Sequence, residues 1–182
     1  MLRATCSSDT TMKLESGECI IRTYRESDAA NLARHGNDRR IWLNLRDRFP
    51  HPFRIADAES YIASQLGAAQ PTSFAIEVGG EAVGGIGLRP GEDIERCGAE
   101  LGYWLGAHYW GRGITTAAVR LVTAYAFREL ALTRVWAVPF ARNAASIRVL
   151  EKARYEREGL MRRSAIKDGE VLDQYLYASV RD

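Results

Sequence analysis

A Gly111-Arg112-Gly113 turn stands between a predicted strand and a predicted amphipathic helix, an order of elements that can bind an anion. Glycines let the backbone turn so that consecutive N–H groups point at one spot, with no side chains in the way. The helix that begins there adds its unpaired amides and the positive end of its dipole. The turn therefore predicts a pyrophosphate site, although a simple tight turn would carry the same glycines.

Two other kinds of phosphate loop are excluded by the residues around this turn. A nucleoside-triphosphatase loop has a Lys directly after its second Gly, and no Lys lies near the turn. A dinucleotide-binding fold has a third Gly where Thr116 stands. It also has an acidic residue at the end of the following strand, where Val138-Pro139 stands instead.

Composition and charge exclude further classes of function. A chain of 182 residues with a net charge of +2 fits one domain and gives no argument for nucleic acid. The three histidines lack ligand spacing, so we expect no metal, and the three scattered cysteines fit a reducing compartment. No apolar stretch suits a signal peptide or a membrane span, so we expect a cytoplasmic protein without a membrane partner. Only three of the 25 basic residues are lysines, namely Lys13, Lys152 and Lys167.

The elements that must position the turn predict a mixed α/β sheet of about seven strands with about four helices interleaved. We expect residues 1–17 to be a disordered tail and residues 18–182 to form one domain. Strands are predicted near 19–24, 74–78, 82–88, 97–105, 133–138, 158–165 and 171–180. Helices are predicted near 28–35, 56–66, from 114 onward and 144–154. Residues 46–53 are predicted to be a loop because Pro50 and Pro52 forbid a helix there.

Four segments resemble the GNAT superfamily of N-acetyltransferases, and more narrowly the branch related to ribosomal-protein alanine acetyltransferases. They are RDRFPHPF at 46–53, AELGYWLG at 99–106, WGRGITTAAVRLVTAYAFREL at 110–130 and NAASIRVLEK at 143–152. The resemblance covers about residues 18 to 180. It implies a GNAT-like fold of mostly antiparallel strands with a splayed central pair. It also implies direct transfer of an acetyl group from acetyl-CoA, the co-substrate, to a primary amine.

In this family the strand before the Gly-rich turn splays away from the next strand, and the pantetheine arm bonds to its edge like an added strand. Asn143 and Ser146 would contact the same arm from the far side. The resemblance places the edge at Leu101, Gly102, Tyr103, Trp104 and Leu105, and the pyrophosphate at Gly111, Arg112, Gly113, Ile114, Thr115 and Thr116.

The resemblance also implies catalytic roles. Glu100 would be the base that deprotonates the amine, acting through water, and a backbone N–H of the 101–104 edge would stabilise the tetrahedral oxyanion. Asp173 is the rival base, or a site for the incoming ammonium. Many GNAT enzymes protonate the leaving thiolate with a Tyr where Leu150 stands, so Ser146 would take that role here. Glu100 could instead be a solvated carboxylate, and Ser146 could bond within its own helical turn.

The chain departs from the branch at two positions. Ala117 stands where a Glu is usual, and Arg154-Tyr155 replaces the usual Gly-Phe. The change from Gly to Arg predicts a different backbone path before residue 156.

Residues of the 46–53 loop, with Trp42 nearby and Tyr175 on the last strand, would bind the acceptor amine. The loop could equally be a rigid surface segment that packs its own aromatic side chains. The acceptor would be a protein N-terminal α-amine or a small-molecule amine, and a homodimer is expected by family analogy alone. An alternative function is a catalytically weak acetyl-CoA-binding sensor. The loop residues assigned to the acceptor are Arg46, Phe49, His51 and Phe53.

Overall fold

The computed structural model describes residues 12–181, and within them the chain forms one eight-stranded sheet with five α-helices. The strands are β1 (Lys13–Glu15), β2 (Ile20–Arg22), β3 (Ser73–Val78), β4 (Glu81–Pro90), β5 (Gly98–Leu105), β6 (Arg134–Ala137), β7 (Glu156–Lys167) and β8 (Glu170–Val180). The helices are α1 (Ala29–Gly36), α2 (Arg39–Trp42), α3 (Ile55–Gln65), α4 (Ile114–Glu129) and α5 (Ala144–Lys152). Three short 3₁₀ segments lie at Glu26–Asp28, Asp93–Glu95 and Ala107–Tyr109.

The sheet has the order β1-β2-β3-β4-β5-β6-β8-β7, and every neighbouring pair is antiparallel except β5 and β6. The prediction of a mixed, mostly antiparallel sheet is confirmed, with one strand and one helix more than expected. The additional helix is the four-residue α2. The additional strand is β1, so the predicted tail is wrong for Lys13–Glu15, which pairs with β2. Residues 1–11 of that tail lie outside the described residues.

Each face of the sheet carries its own hydrophobic cluster, because successive side chains along a strand point to opposite faces. Phe74 of β3 and Leu101 of β5 belong to the larger cluster, which is packed under α4. Ala75 belongs to the smaller cluster beneath α1 and α3, and Trp104 packs against that cluster. β5 therefore presents one set of side chains to each layer. None of the helices in residues 12–181 is long and apolar enough to cross a membrane.

Helix α4 is buried on more than the one face that the apolar spacing predicted. Ile114, Leu121 and Tyr125 of the predicted stripe are buried, as expected. Thr123 is buried as well. Its hydroxyl is satisfied there, because it donates to the Val119 carbonyl at 2.7 Å and shares a 2.6 Å hydrogen bond with the Tyr155 hydroxyl. The helix is thus enclosed between the sheet and the segment that follows α5, which fixes the position of its first turn.

A buried ion cluster joins β2 and β3 to the start of α1. Arg22 is 2% exposed and donates to the two carboxylate oxygens of Asp28 at 2.7 and 2.8 Å. Its Nε also donates to Glu77 at 2.5 Å. One guanidinium group therefore neutralises two buried carboxylates that come from different elements.

We expect Arg22→Ala to reduce the free energy of unfolding by about 3–5 kcal/mol, because buried Asp28 loses the guanidinium that binds it and buried Glu77 keeps only the exposed Arg25, 3.7 Å away. Urea denaturation of both proteins measures the change. Arg128→Ala is the matched control, since Arg128 is exposed on α4 and such substitutions stay within about 0.5 kcal/mol. A loss below about 1 kcal/mol for Arg22→Ala would contradict this account of the cluster.

Candidate active site

Strands β5 and β6 separate after three paired residues. β5 pairs with β4 along its whole length, whereas its parallel pairing with β6 ends at Glu100↔Trp136. Beyond that pair, the segment that follows β6 runs along β8, and the Tyr175 N–H of β8 donates to the Pro139 carbonyl at 3.0 Å. The edge of β5 from Leu101 onward therefore faces an opening. This confirms the splayed central pair that the family resemblance implied.

A cavity of about 1140 Å³ occupies this opening and extends over both faces of β5. Its wall is formed by the free edge of β5, the Gly-rich turn, the first turns of α4 and α5, and the loop before α3. The sequence-derived site residues that it brings together are Arg46, Phe49, Phe53, Glu100, Leu101, Gly102, Tyr103, Trp104, Leu105, Gly111, Arg112, Gly113, Ile114, Thr115, Thr116, Asn143 and Ser146.

The Gly-rich turn has the backbone conformation that the two glycines permit. Gly111 and Gly113 have φ angles of +76° and +80°, in the left-handed region that side chains disfavour. Within the described chain no side chain caps α4, so the amides of its first turn point toward the cavity unpaired by a cap. Arg112 packs its guanidinium over the Tyr109 ring at 5.4 Å. The arrangement offers a cluster of N–H donors to an anion.

The first turn of α5 approaches β5 across the opening. The Asn143 side-chain oxygen accepts from the Ser146 N–H at 3.1 Å and so caps the helix. The Ser146 hydroxyl shares a 2.8 Å hydrogen bond with the Tyr103 hydroxyl. Burial raises the pKa of Tyr103, so this phenol stays protonated at neutral pH. The sequence had assigned only the backbone edge to Tyr103, and the contact of its side chain with Ser146 was not foreseen.

Glu100 lies on the opposite face of β5 from Tyr103, since the two residues are three positions apart and successive side chains alternate between the faces. Its side chain is 12% exposed, and each carboxylate oxygen accepts a hydrogen bond from a different arginine. Arg89 stands directly opposite Glu100 in the β4–β5 register, whereas Arg46 reaches it from the loop. Glu100 is therefore a carboxylate enclosed by two cations, one at each oxygen.

An aromatic wall lines the same face. Phe49 and Phe53 stack at 4.4 Å between ring centroids, and both meet Trp104 edge-on at 5.5 and 6.4 Å. Gly85 of β4 makes room for the Trp104 ring, because a Cβ there would lie 2.9 Å from the indole nitrogen. The wall gives this side of the cavity an apolar surface beside Glu100.

Trp42 and His51, which the sequence analysis assigned to the acceptor, do not line the cavity. Their rings stack on each other with centroids 5.6 Å apart. The Lys167 ammonium lies 3.8 Å from the Trp42 ring centroid and donates to Asp47 at 2.7 Å. The Lys167 side chain is 1% exposed. These residues therefore anchor the loop to the turn between β7 and β8.

Asp173 and Tyr175 also lie outside the cavity wall. The Asp173 carboxylate accepts from the Arg163 backbone N–H at 2.7 Å. Arg163 has a φ of +50° and lies where the β7–β8 register shifts. Tyr175 carries the Arg157 guanidinium over its ring at 4.9 Å and meets Tyr177 edge-on. These side-chain contacts with β7 and β8 support the hairpin, and Tyr175 also packs against the larger hydrophobic cluster.

Leu150 and Arg154, near the end of α5, have clear structural outcomes. Leu150 is fully buried in the larger cluster, so a core side chain stands where many GNAT enzymes have a Tyr. Arg154 has a φ of +67°, the left-handed conformation that a Gly adopts without strain. The different backbone path relative to the family stays a prediction. The ordered packing of Tyr155 against Thr123 holds the turn, and Arg154 bears a strain of about 1–2 kcal/mol.

The profile of the acetyltransferase (GNAT) domain family matches residues 18–156, which include the free edge, the Gly-rich turn and the start of α5. The chain belongs to the GNAT family. Its GNAT relatives include the probable N-acetyltransferase YjcK of Bacillus subtilis (strain 168), 45% identical over 80 residues that cover 44% of each chain. They also include an uncharacterized N-acetyltransferase, p20 of Bacillus licheniformis, 31% identical over 115 residues.

The match to p20 covers 63% of this chain and 64% of p20, so the chain spans about half to two thirds of the length of these relatives. Among solved GNAT structures, Mycobacterium smegmatis RimJ in complex with CoA-disulfide aligns with a TM-score of 0.80. It is 25% identical, and the alignment covers 94% of this chain and 87% of RimJ. The GNAT fold of this chain thus extends well beyond the segment matched by the profile.

We expect Lys167→Met to increase the mobility of the 46–53 loop. The Met side chain keeps the apolar part of Lys167, but Asp47 and Trp42 lose the ammonium that lies between them. Limited trypsin digestion with mass mapping should show cleavage after Arg46 and Arg48 at a rate several times that of the unmodified protein. Lys152→Met is the matched control, since Lys152 is exposed on α5 and does not contact the loop. Equal cleavage rates in all three proteins would contradict an anchoring role for Lys167.

Proposed function

We propose that this chain is an N-acetyltransferase that moves the acetyl group of acetyl-CoA directly to a primary amine. The proposal rests on one observation: the free edge of β5 leads, within a single cavity, to an uncapped helix N-terminus. A pantetheine arm carries amides that can pair with a strand edge, and its pyrophosphate suits helix amides. The similarity to RimJ, whose structure contains CoA, supports the same assignment.

The proposed cofactor site uses the edge from Leu101 to Leu105 and the turn from Gly111 to Thr116. The Leu105 carbonyl already accepts the Trp110 indole N–H at 2.7 Å, so the residues before it supply the groups for pantetheine. Arg112, Arg148 and Lys152 line the same cavity and add positive charge for the phosphates. No metal is needed for this chemistry.

The amine would approach the thioester from the face of β5 that carries Glu100 and the aromatic wall. An ammonium cannot attack, so a base must first remove a proton, and Glu100 is the carboxylate at this face of the cavity edge. A backbone N–H of the β5 edge would polarise the thioester carbonyl and stabilise the oxyanion. The amine nitrogen then bonds to the carbonyl carbon, and the carbon–sulfur bond breaks.

The leaving thiolate would be protonated from the opposite face. Ser146 is the proposed donor, and its hydrogen bond to the protonated Tyr103 hydroxyl allows the phenol to return a proton to Ser146. A thiol has a pKa near 8.5, so this step needs only modest assistance. The proposed base and acid thus lie on the two sides of the same strand edge.

We expect saturating acetyl-CoA, at about 100 times its Kd, to raise the Tm by roughly 5–10 °C. Gly113→Ala should show a much smaller rise at the same concentration, because an Ala at φ of +80° strains the turn and displaces its amides. Gly159→Ala is the control, since Gly159 has open space around it and lies outside the cavity. NAD raising the Tm equally, or Gly113→Ala responding like the unmodified protein, would contradict the assigned cofactor site.

We expect Glu100→Gln to lower kcat about 100-fold or more with a panel of primary amines, and Ser146→Ala to lower it about 10-fold. Both should leave the Kd for acetyl-CoA within a few-fold of the original value, because the cofactor would be held mainly by backbone groups. Release of the CoA thiol measures the rate, and Glu156→Gln on β7 is the matched control. Binding of acetyl-CoA without turnover of any amine would instead support the sensor function.

A further inference from the structure

The acceptor side of the cavity has an excess of arginine over carboxylate. Four guanidinium groups, from α2, the 46–53 loop and β4, line this side, but only two carboxylates of the described residues line it. One of these, Asp57, accepts the Arg54 N–H at 2.7 Å at the start of α3, and the other is Glu100. The cationic side chains are Arg40, Arg46, Arg48 and Arg89, all exposed, and of these Arg40 is bound to the Asp38 carboxylate outside the cavity wall. Such a surface favours an acceptor that brings negative charge of its own.

The two arginines on Glu100 differ in how they are held. Arg89 faces Glu100 across the β4–β5 ladder, so the sheet itself maintains that pair. Arg46 reaches the other oxygen from the loop, 54 positions away in the sequence, and its side chain is 52% exposed. A guanidinium has five N–H donors in a planar fork, and among the described residues Arg46 uses one of them, on Glu100. Arg46 therefore has the donors and the exposure to bind a second carboxylate.

We propose that the acceptor is an anionic amine, a primary amine with a carboxylate a few bonds away, and that Arg46 binds this carboxylate. The inference rests on the proposed function and names its substrate class. As the acceptor's carboxylate engages the Arg46 fork, Arg46 moves off Oε1 of Glu100, while Arg89 stays on Oε2. The freed Oε1 then accepts a proton from the acceptor's ammonium, directly or through one water. The neutral amine forms the bond to the thioester carbon.

The carboxylate near the amine could be the α-carboxylate of a free amino acid or the side chain of an acidic first residue of a peptide. Two matched pairs of acceptors separate these sources: L-leucine with L-leucinamide, and Asp-Leu-amide with Asn-Leu-amide. Within each pair the charge is the main difference, and the aromatic wall of Phe49, Phe53 and Trp104 can accommodate the leucyl group in both.

The experiment measures kcat/KM for these four acceptors with the unmodified protein, Arg46→Gln, Arg46→Lys and Arg54→Gln. In at least one pair, we expect the anionic member to be preferred about tenfold or more. Arg46→Gln should lower kcat/KM for that member about 10- to 100-fold and leave its neutral partner unchanged or faster, because Glu100 loses one of its cations. Arg46→Lys should give an intermediate loss. Arg54 is exposed and lies outside the cavity, so Arg54→Gln should preserve the preference.

The outcomes separate this inference from the proposed function. A neutral member preferred in both pairs, or an equal loss for both members with Arg46→Gln, would overturn the anionic acceptor and leave the N-acetyltransferase intact. Absence of acetylation of these four acceptors and of the wider amine panel would overturn the proposed function itself. The Tm of Arg46→Gln and its shift with acetyl-CoA verify that the variant is folded with its cofactor site preserved.

Discussion

The brief pairing of β5 with β6 is the constraint on which the rest of the site depends. Strands that stayed paired would satisfy each other's amides and leave no opening in the sheet. Because β6 ends at Ala137 and Pro139 continues along β8, main-chain groups of β5 beyond Glu100 face a cavity instead of a neighbour. The same separation lets α4 present its first turn to the opening and lets Tyr103 meet Ser146 across it.

The proposed acceptor side of the cavity depends on contacts with the C-terminal hairpin of β7 and β8. β7 and β8 form a long hairpin that is exposed over much of its length, yet its tip touches the segment between α2 and α3. Lys167 binds Asp47, and Asp168 accepts from Arg39 at 2.5 Å. The hairpin thereby supports the loop that carries Arg46, and the position of one cation beside Glu100 follows from packing more than 100 residues away in sequence.

The features predicted well from sequence are those encoded locally. The Gly-rich turn and the amphipathic pattern of α4 each depend on residues a few positions apart, and the family resemblance supplied the splayed central pair of strands. The sequence did not reveal contacts between distant segments: Arg22 buried between two carboxylates, or Lys167 against Trp42. Sequence spacing carries no signal for such pairs. Trp42 was therefore assigned to the acceptor because it lies near the loop in sequence, whereas its ring contacts the Lys167 ammonium. Arg46 was placed in the loop, but its pairing with Glu100, 54 positions away in the sequence, was visible only in the folded structure.

The enclosure of Lys167 also bears on how the proposed acetyl donor, a thioester, would react with the protein itself. Thioesters acylate accessible neutral amines, and arginine, which supplies 22 of the 25 basic residues here, stays protonated and does not react. Of the three lysines, Lys167 is 1% exposed and bound to a carboxylate, which leaves Lys13 and Lys152 as the lysine amines open to solvent. Few lysine amines of the described residues are thus open to the proposed acetyl donor, and the lysine that anchors the loop is shielded from modification by it.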